Sequence, residues 1–194
     1  MLPRRDIMVG AAAAALGAAL PMPAFAGKKQ EDENIIDPTK ARIVRVAKET
    51  IPFRIHVRPD EFALYWTMED GRAIRYPCGV ARRDLWEPGT YVIKAKKEWP
   101  SWTPTPEMIE RDARYEQWAE GMPGGPSNPL GARALYLFNP GGGDTFLRLH
   151  GTNRPNTIGT RVSNGCARLT NGYIAHLYDR VPLDTVVHLH RMTT

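Results

Sequence analysis

Two short β-prone runs joined by an Asp-Gly dipeptide constrain the fold of this chain more than any other feature. Residues 62–68 and 72–76 are rich in aromatic and branched side chains, and Asp70 and Gly71 lie between them. Asp-Gly accepts the two positive-φ backbone conformations that a two-residue hairpin turn requires. The pattern therefore predicts an antiparallel β-hairpin in the first half of the chain.

Further short apolar runs predict more strands. Residues 90–95 read as one strand, and residues 133–138 and 145–150 form a second hairpin pattern. Their connection, residues 139–144, consists of Asn, Pro, Gly and Asp and predicts a loop. Residues 185–190 alternate apolar and polar side chains and predict a last strand. The chain is thus expected to be mainly β.

Helix signals are few. Pro106 follows Thr105 at a favourable first helical position, and residues 107–119 contain no breaker, so one helix is predicted there. A second short helix is predicted over residues 173–179. Residues 121–131 form a long Pro- and Gly-rich loop, and a loop of this kind inside a compact domain is more often functional than idle.

The N-terminal segment predicts export. Arg4 and Arg5 precede an apolar Ala-rich run, and Ala24-Phe25-Ala26 supplies the small residues of a signal-peptidase site. The paired arginines also suit a twin-arginine signal. The alternative, a membrane anchor, is disfavoured because the run is short and a cleavage site follows it. We therefore expect a signal peptide over residues 1–26, a flexible leader over residues 27–40 and one domain over residues 41–194.

The charge of the chain and its distribution indicate which kinds of binding partner are expected. The whole chain carries a formal net charge of +5, spread without a dense basic run that interleaves with aromatic residues. This distribution disfavours a nucleic-acid partner. An anionic polymer outside the membrane suits a mildly basic exported protein better. No membrane span is expected in the mature protein.

One His and one Cys lie where chemistry is expected. His150 ends the predicted strand 145–150, and Cys166 follows sixteen residues later, directly after Gly165. Gly165 permits a backbone bend that brings amide N–H groups together, as stabilisation of an oxyanion requires. A thiol near an imidazole or a guanidinium can become a nucleophile. A Cys–His acyl-transfer pair is therefore one interpretation of this segment.

Other interpretations of the cysteines remain open at this point. Cys78 lies in an apolar context and is expected to be a small buried residue. The two cysteines could also form a disulfide in an exported protein. A zinc site is disfavoured because the Cys and His residues lack the usual ligand spacings, the candidates being Cys166, His150, His176, His188 and His190.

Several motifs in order resemble those of one family. The segment from His150 to Asn171 reads HGT, a spacer, then SNGCARL. It resembles the signature of the L,D-transpeptidases of the YkuD type, in particular the periplasmic ErfK/YbiS group. The segments RYPCGVARRDLWEPGTYVI, NPLGARALYL and VPLDTVV are similar to further family motifs, so that the resemblance covers roughly residues 60–190. It implies a mainly β, mixed-sheet, sandwich-like catalytic domain with one or two short helices.

The resemblance also implies catalytic residues. Cys166 matches the nucleophile and His150 the general base. Gly151 matches the position whose backbone carbonyl holds the imidazole in its useful tautomer. Ser163 matches the motif serine beside the site, and Gly165 precedes the nucleophile as in the family.

Substrate-binding positions follow in the same way. Arg168 matches a residue that could bind a substrate carboxylate, and Thr152 completes the His-Gly-Thr motif. Asn164 occupies a position where many members have His, so that a proton-handling role is not expected there. Trp102 either lines the substrate cleft or caps a sheet face.

The reaction implied by the resemblance uses no metal and no organic cofactor. Cys166 attacks the diaminopimelate–D-alanine bond of a peptidoglycan stem peptide, D-alanine leaves, and an amine takes the acyl group. The amine belongs to a second stem, to an outer-membrane lipoprotein lysine or to a D-amino acid. Water as acceptor would give a carboxypeptidase or a lipoprotein-releasing hydrolase. A non-catalytic wall-binding protein of the same fold is the remaining alternative.

Overall fold

The computed structural model describes residues 40–193, and these residues form eleven strands and two α-helices. The expected signal peptide and nearly all of the expected leader lie outside the described residues. The strands are β1 Arg42–Arg45, β2 Ile55–Arg58, β3 Ala63–Met68, β4 Arg72–Pro77, β5 Val80–Ala81, β6 Gly89–Glu98, β7 Arg133–Phe138, β8 Asp144–His150, β9 Arg161–Ser163, β10 Ala167–Arg168 and β11 Val186–Leu189. The helices are α1 Pro106–Arg111 and α2 Asn171–Tyr178.

Nine of these strands form one mixed sheet. Their order is β1-β4-β3-β2-β11-β6-β7-β8-β10. Strand β11 runs parallel to β2, and β10 runs parallel to β8, while the other neighbours are antiparallel. Strands β5 and β9 form a separate parallel pair. The prediction of a mainly β fold with a mixed sheet is confirmed.

Both predicted hairpins are present. Strands β3 and β4 pair antiparallel, and the turn between them places Asp70 at φ 60° and Gly71 at φ 64°. Met68 pairs with Arg72, so the connection has three residues, and two of them adopt left-handed conformations that Asp and Gly tolerate. Strands β7 and β8 also pair antiparallel, and the glycine-rich connection between them turns the chain back. His150 consequently lies at the end of β8, as predicted.

The prediction of one helix over residues 107–119 is wrong. Helix α1 begins as expected, because the Thr105 side chain accepts a hydrogen bond from the Met108 amide and Pro106 occupies the first position. It ends at Asp112, whose backbone is extended at φ −153° and whose carboxylate accepts from the Arg114 amide. Residues Ala113–Trp118 then form a 3-10 helix. An aspartate that caps a new turn competes with continued helix.

The core is a single cluster that receives side chains from every strand of the sheet except the edge strand β1. Ile55 and Leu64 from one part of the sheet and Leu135 and Leu149 from the other are fully buried in it. The sheet therefore curves around one core, and helix α2 contributes its buried residues from the side of β7 and β8. Cys78 is buried in the same cluster, which confirms the expectation for that cysteine. Within residues 40–193, no helix has the length and apolar character of a membrane span.

Candidate active site

Two parallel strands bring the predicted site residues to one face of the sheet. In the ladder between β8 and β10, Ala167 lies opposite Leu149 and Arg168 lies opposite His150. Because successive side chains of a strand point to opposite faces, Arg168 and His150 share one face, and Leu149 and Ala167 face the core. Cys166 precedes Ala167 and therefore returns to the face of His150.

His150 is held in a defined orientation by its own neighbour. The ring is buried, and its Nδ1 lies 2.6 Å from the carbonyl oxygen of Gly151. A carbonyl only accepts hydrogen bonds, so Nδ1 carries the proton and Nε2 keeps its lone pair. Burial, together with the charge of Arg168, lowers the pKa of His150 to about 3, although the Gly151 carbonyl acts in the opposite direction. The imidazole is therefore neutral at physiological pH.

Asn171 organises the backbone around His150, and the sequence analysis did not identify it as a site residue. Its Oδ1 accepts hydrogen bonds from the amides of Ala132, at 3.0 Å, and Thr152, at 3.1 Å. A side chain at Gly151 has no room, because a Cβ there would lie 2.3 Å from the same oxygen. Gly151 is thus required both for its carbonyl and for the space that it leaves. No periodicity in the sequence indicates this role of Asn171.

Thr152 faces away from the site. It is buried, and its hydroxyl oxygen accepts a hydrogen bond from the Arg154 amide at 3.0 Å. It does not line the cavity that contains His150 and Cys166. The third residue of the His-Gly-Thr motif therefore supports the loop after β8.

Cys166 lies on a tight turn that Ser163 closes. The Ser163 hydroxyl donates to the carbonyl oxygen of Cys166 at 2.5 Å. Gly165 between them has φ +123°, a left-handed conformation that favours glycine, and a Cβ there would approach Leu147 to 3.0 Å. The Cys166 thiol is partly exposed to the cavity, and its Sγ lies 3.9 Å from the carbonyl oxygen of Phe146. Burial raises the pKa of this thiol, whereas the charges of Arg148 and Arg168 lower it. The resting pair is therefore a neutral thiol and a neutral imidazole.

Asn164 contacts an arginine from another part of the chain. Its Oδ1 accepts a hydrogen bond from the Arg82 guanidinium at 3.0 Å, and the Arg82 amide donates to the carbonyl of Ser163 at 3.2 Å. Asn164 also lines the cavity. The residue that stands where many family members have His thus joins the turn of Cys166 to the segment that contains Arg82.

Arg168 carries unsatisfied donors. Its Nε and Nη2 atoms are buried and have no hydrogen-bond partner within the described part of the chain. Burial lowers the pKa of Arg168, and the nearby Cys166 raises it, but a guanidinium remains charged in proteins. Arg168 also lines the cavity and forms no ion pair within residues 40–193. Its positive charge therefore suits an anionic group bound in the cavity.

The cavity has a volume of about 600 Å³, and most of the predicted site residues line it. Its lining includes His150, Cys166 and Arg168 at the β8–β10 end of the sheet, and also Trp102. Two backbone hydrogen bonds with Met122 hold Trp102 in place, and its ring packs edge-on against Tyr115 at 5.6 Å. Of the two interpretations offered for Trp102, the structure places it in the cleft wall.

Arg148 is a cavity residue that the sequence analysis missed. Its guanidinium forms two hydrogen bonds with the carboxylate of Asp144, at 2.6 and 2.7 Å, and lies over the ring of Tyr136 at 4.0 Å. The alternation of residues 145–150 could have indicated it, because Arg148 must share the face of His150. Its charge is compensated by Asp144, in contrast to that of Arg168.

Among residues 40–193, no group of three or more His, Cys, Asp or Glu side chains is arranged to hold a metal ion. The histidines considered for a zinc site have other partners. His176 bonds to the Tyr76 hydroxyl at 2.7 Å, while His188 and His190 pack against His56. Cys78 and Cys166 are both free, so they do not form a disulfide here.

The fold and the site define a class of protein. A thiol, an oriented neutral imidazole and an unpaired guanidinium surround one cavity on a mixed β-sheet, which suits nucleophilic chemistry on a carbonyl compound. The comparison with known families then gives the particular family. The model of the L,D-transpeptidase catalytic domain, YkuD, matches residues 52–189, and the chain belongs to this family.

Individual relatives agree with this assignment. The chain is 35% identical over 205 residues to an L,D-transpeptidase-named reading frame in the ATP synthase subunits region of Fuscovulum blasticum, covering 97% of each. It is 34% identical over 148 residues to ErfK/SrfK of Escherichia coli K12, named a probable L,D-transpeptidase, covering 74% of this chain and 46% of that protein. The chain thus spans about half the length of the Escherichia coli relative.

A solved structure from Brucella melitensis is also similar. It is 46% identical, has a TM-score of 0.55, and covers 77% of this chain and 93% of its own. That structure is described as a probable carnitine operon oxidoreductase. The name concerns the Brucella protein, whereas the family assignment here rests on the family model and the two relatives.

Proposed function

We propose that this protein is a peptidoglycan L,D-transpeptidase in which Cys166 forms a thioester with a tetrapeptide donor stem. The observation that carries the proposal is the ladder between β8 and β10, which sets Cys166 and His150 on one sheet face and in one cavity. The domain that performs this chemistry extends over residues 41–194. Family membership supports the reaction type, and the site geometry supports the residue roles.

Acylation follows from the neutral pair. The Cys166 sulfur attacks the carbonyl carbon of the diaminopimelate–D-alanine bond, and its proton passes to Nε2 of His150. The Gly151 carbonyl keeps Nδ1 protonated throughout. The amides of Gly165 and Cys166, which donate no hydrogen bond within residues 40–193, are available to the oxyanion. D-Alanine then leaves as an amine that receives the proton from His150, and the thioester remains.

The other predicted residues take supporting roles. Arg168 lines the cavity and attracts a carboxylate of the donor stem through the positive charge of its guanidinium, which forms no ion pair within residues 40–193. Ser163 positions the nucleophile through its bond to the Cys166 carbonyl, and Asn164 fixes the same turn against Arg82. Trp102 forms part of the wall that receives the stem peptide.

The acyl group then passes to an amine. The acceptor is the side-chain amine of a second stem, a lipoprotein lysine or a D-amino acid, and this reaction remodels or cross-links the wall. Water as acceptor would make the protein a carboxypeptidase or a lipoprotein-releasing hydrolase with the same first step. The two outcomes differ only in the fate of the thioester, so they share every residue named above.

We place this reaction outside the cytoplasmic membrane, in the periplasm. The proposal rests on the basic, apolar and small-residue pattern of residues 1–26, which is typical of an export signal. Mass measurement of the exported protein tests it, since a mature chain that begins at Gly27 is expected. A chain that retains its first residues in the cytoplasm would contradict it.

The reaction is tested with purified tetrapeptide stem and an amine acceptor. The wild-type protein should release D-alanine and form a new amide with the acceptor, both followed by mass spectrometry. His150→Ala should lower the rate of D-alanine release by about a hundredfold or more, because a positioned general base is worth that much. Release without any amide product, at saturating acceptor, would identify the hydrolase. No release from the wild type would contradict the proposed function.

A further inference from the structure

The segment from Arg82 to Glu87 packs directly against the turn of the nucleophile. The Arg82 amide donates to the Ser163 carbonyl at 3.2 Å, and its guanidinium donates to Asn164. Further along, the carbonyl oxygen of Leu85 lies 3.7 Å from the place where a Cβ of Gly165 would stand. This segment therefore forms the cavity wall immediately beside Cys166.

Glu87 ends this wall with a carboxylate that has no partner. It lines the cavity and is exposed, and within residues 40–193 its side chain forms no hydrogen bond or ion pair. Its backbone is nevertheless fixed, because its carbonyl accepts from the Tyr91 hydroxyl at 3.2 Å and the neighbouring Trp86 indole donates to the His190 carbonyl at 2.8 Å. A rigid backbone thus presents a free carboxylate to the cavity.

The charge of Glu87 acts on the nucleophile in the direction opposite to that of Arg168. Burial is the main reason for the raised pKa of Cys166; the carboxylate of Glu87 adds to it, and the guanidinium of Arg168 opposes it. The chain just before this segment lies next to Arg168, because Gly79 forms an antiparallel bridge with it. Cys166, Arg168 and Glu87 therefore line one cavity, and both charges act on the thiol.

We propose that Glu87 is a specificity residue that recruits the acceptor as a cation, by binding its ammonium group beside the thioester. This inference rests on the proposed function, in which a primary amine takes the acyl group. Arg168 already accounts for the anionic part of the donor stem. The carboxylate of Glu87 attracts the ammonium form of the acceptor amine, which is the cationic reactant in the transfer of the acyl group. This attraction favours the amine over water as acceptor.

The chemical step balances with the residues present. The bound ammonium releases one proton to solvent, and the resulting amine attacks the thioester carbonyl. The new C–N bond forms, a second proton passes to Nε2 of His150, and the C–S bond breaks. The departing sulfur of Cys166 takes that proton back from His150, which restores the neutral thiol and imidazole.

The test uses competition between two acceptors for one acyl-enzyme. The full-length protein is acylated with tetrapeptide stem, and the thioester is confirmed by mass. D-Alaninamide, a cation at neutral pH, and methoxyamine, which is uncharged there, are then added together, and the two amide products are quantified. Glu87→Gln should lower the ratio of the D-alaninamide product to the methoxyamine product about fivefold, the size expected of an exposed ion pair. The wild-type ratio should also fall with added salt.

Asp84→Asn is the matched control. Asp84 lines the same cavity, but its charge is not among those that act on Cys166. This variant should keep the wild-type ratio. An unchanged ratio in Glu87→Gln, or an equal loss in Asp84→Asn, would overturn the role of Glu87 while leaving the acyl-enzyme intact. Failure of the wild type to form the acyl-enzyme would overturn the proposed function and this inference with it.

Discussion

The site depends on the protonation of a few residues. His150 is buried and neutral, Cys166 is a neutral thiol, and the unpaired guanidinium of Arg168 lies beside both. Each state has a physical cause, since burial disfavours the charged forms of imidazole and thiol alike. In the reaction that we propose, Cys166 therefore becomes nucleophilic by proton transfer to His150 when the substrate arrives, and not as a resting thiolate.

The neutral His150 gives a prediction about stability and pH. Its pKa is about 3 in the folded protein and near 6.5 in the unfolded chain, so the unfolded chain binds more protons between these values. Stability contributed at neutral pH is therefore lost as the pH falls from 6.5 toward 3, by about 1.4 kcal/mol per pH unit. Between pH 7 and pH 5 the wild type should lose roughly 2 kcal/mol more free energy of unfolding than His150→Gln. Denaturant unfolding at both values measures this.

Other histidines do not enter that comparison. The pKa of His56 is lowered to about 4, first by burial, and this lowering acts in the same direction in both proteins. The difference between wild type and His150→Gln therefore isolates His150. Equal acid sensitivity of the two proteins would contradict a buried neutral imidazole at this position.

Gly165 provides a second prediction at the residue scale. Gly165→Ala introduces a Cβ at a left-handed backbone position and 3.0 Å from Leu147, so it should lower both stability and the rate of Cys166 acylation. Gly159→Ala is the matched control, because Gly159 also has a positive φ, +82°, but open space around it. The control should lose about 1 kcal/mol from backbone strain and keep its acylation rate. Parallel loss of acylation in both variants would contradict the role of the Gly165 turn.

At the scale of elements, the sequence predicted the parts of the fold that are locally encoded. The hairpin at Asp70 and Gly71 and the end of β8 at His150 were both predictable, because alternation and turn residues determine them. The two-residue strand β10 was not, since it exists only through its tertiary pairing with β8 and with Gly79. Yet this strand sets the register of Cys166 against His150. The motifs therefore predicted which residues belong to the candidate site, but they did not predict how these residues are arranged in space.

Helix α1 shows the same limit. Residues 107–119 contain no Pro or Gly, so that the pattern alone favours one continuous helix. Asp112 ends the helix because its side chain caps the next turn. Helix propensity alone does not predict this hydrogen bond. The break sets Tyr115 against Trp102 in the cavity wall. A prediction of one continuous helix does not include this contact between Tyr115 and Trp102.

Asn171 gives the prediction that belongs to the elements, because it joins helix α2 to the ends of β7 and β8. Asn171→Ala leaves the amides of Ala132 and Thr152 without their acceptor, which should cost about 3 kcal/mol of unfolding free energy. Asn171→Asp keeps an acceptor oxygen and suits the start of a helix, so that it should lose much less. Thermal and denaturant unfolding compare the two. Equal losses would show that the hydrogen bonds of the Asn171 oxygen do not support these loops.

At the scale of the whole molecule, one curved sheet provides both stability and the site. The core cluster receives side chains from every strand of the nine-stranded sheet except β1, and the cavity lies at the β8–β10 end on the opposite face of those strands. Among the charged residues that line this cavity, Arg168 and Glu87 both act on Cys166 and neither forms an ion pair within residues 40–193. A donor with a carboxylate and an acceptor with an ammonium group fit these two charges.

The central claim is that Cys166 is the acyl-accepting nucleophile, and intact-protein mass tests it most directly. A carbapenem, which acylates the active-site cysteine of this family, should add its mass once to the wild type. The adduct should form equally on Cys78→Ala, because Cys78 is buried in the core, and should be absent from Cys166→Ala. An unchanged wild-type mass, or an adduct that survives in Cys166→Ala, would contradict the account.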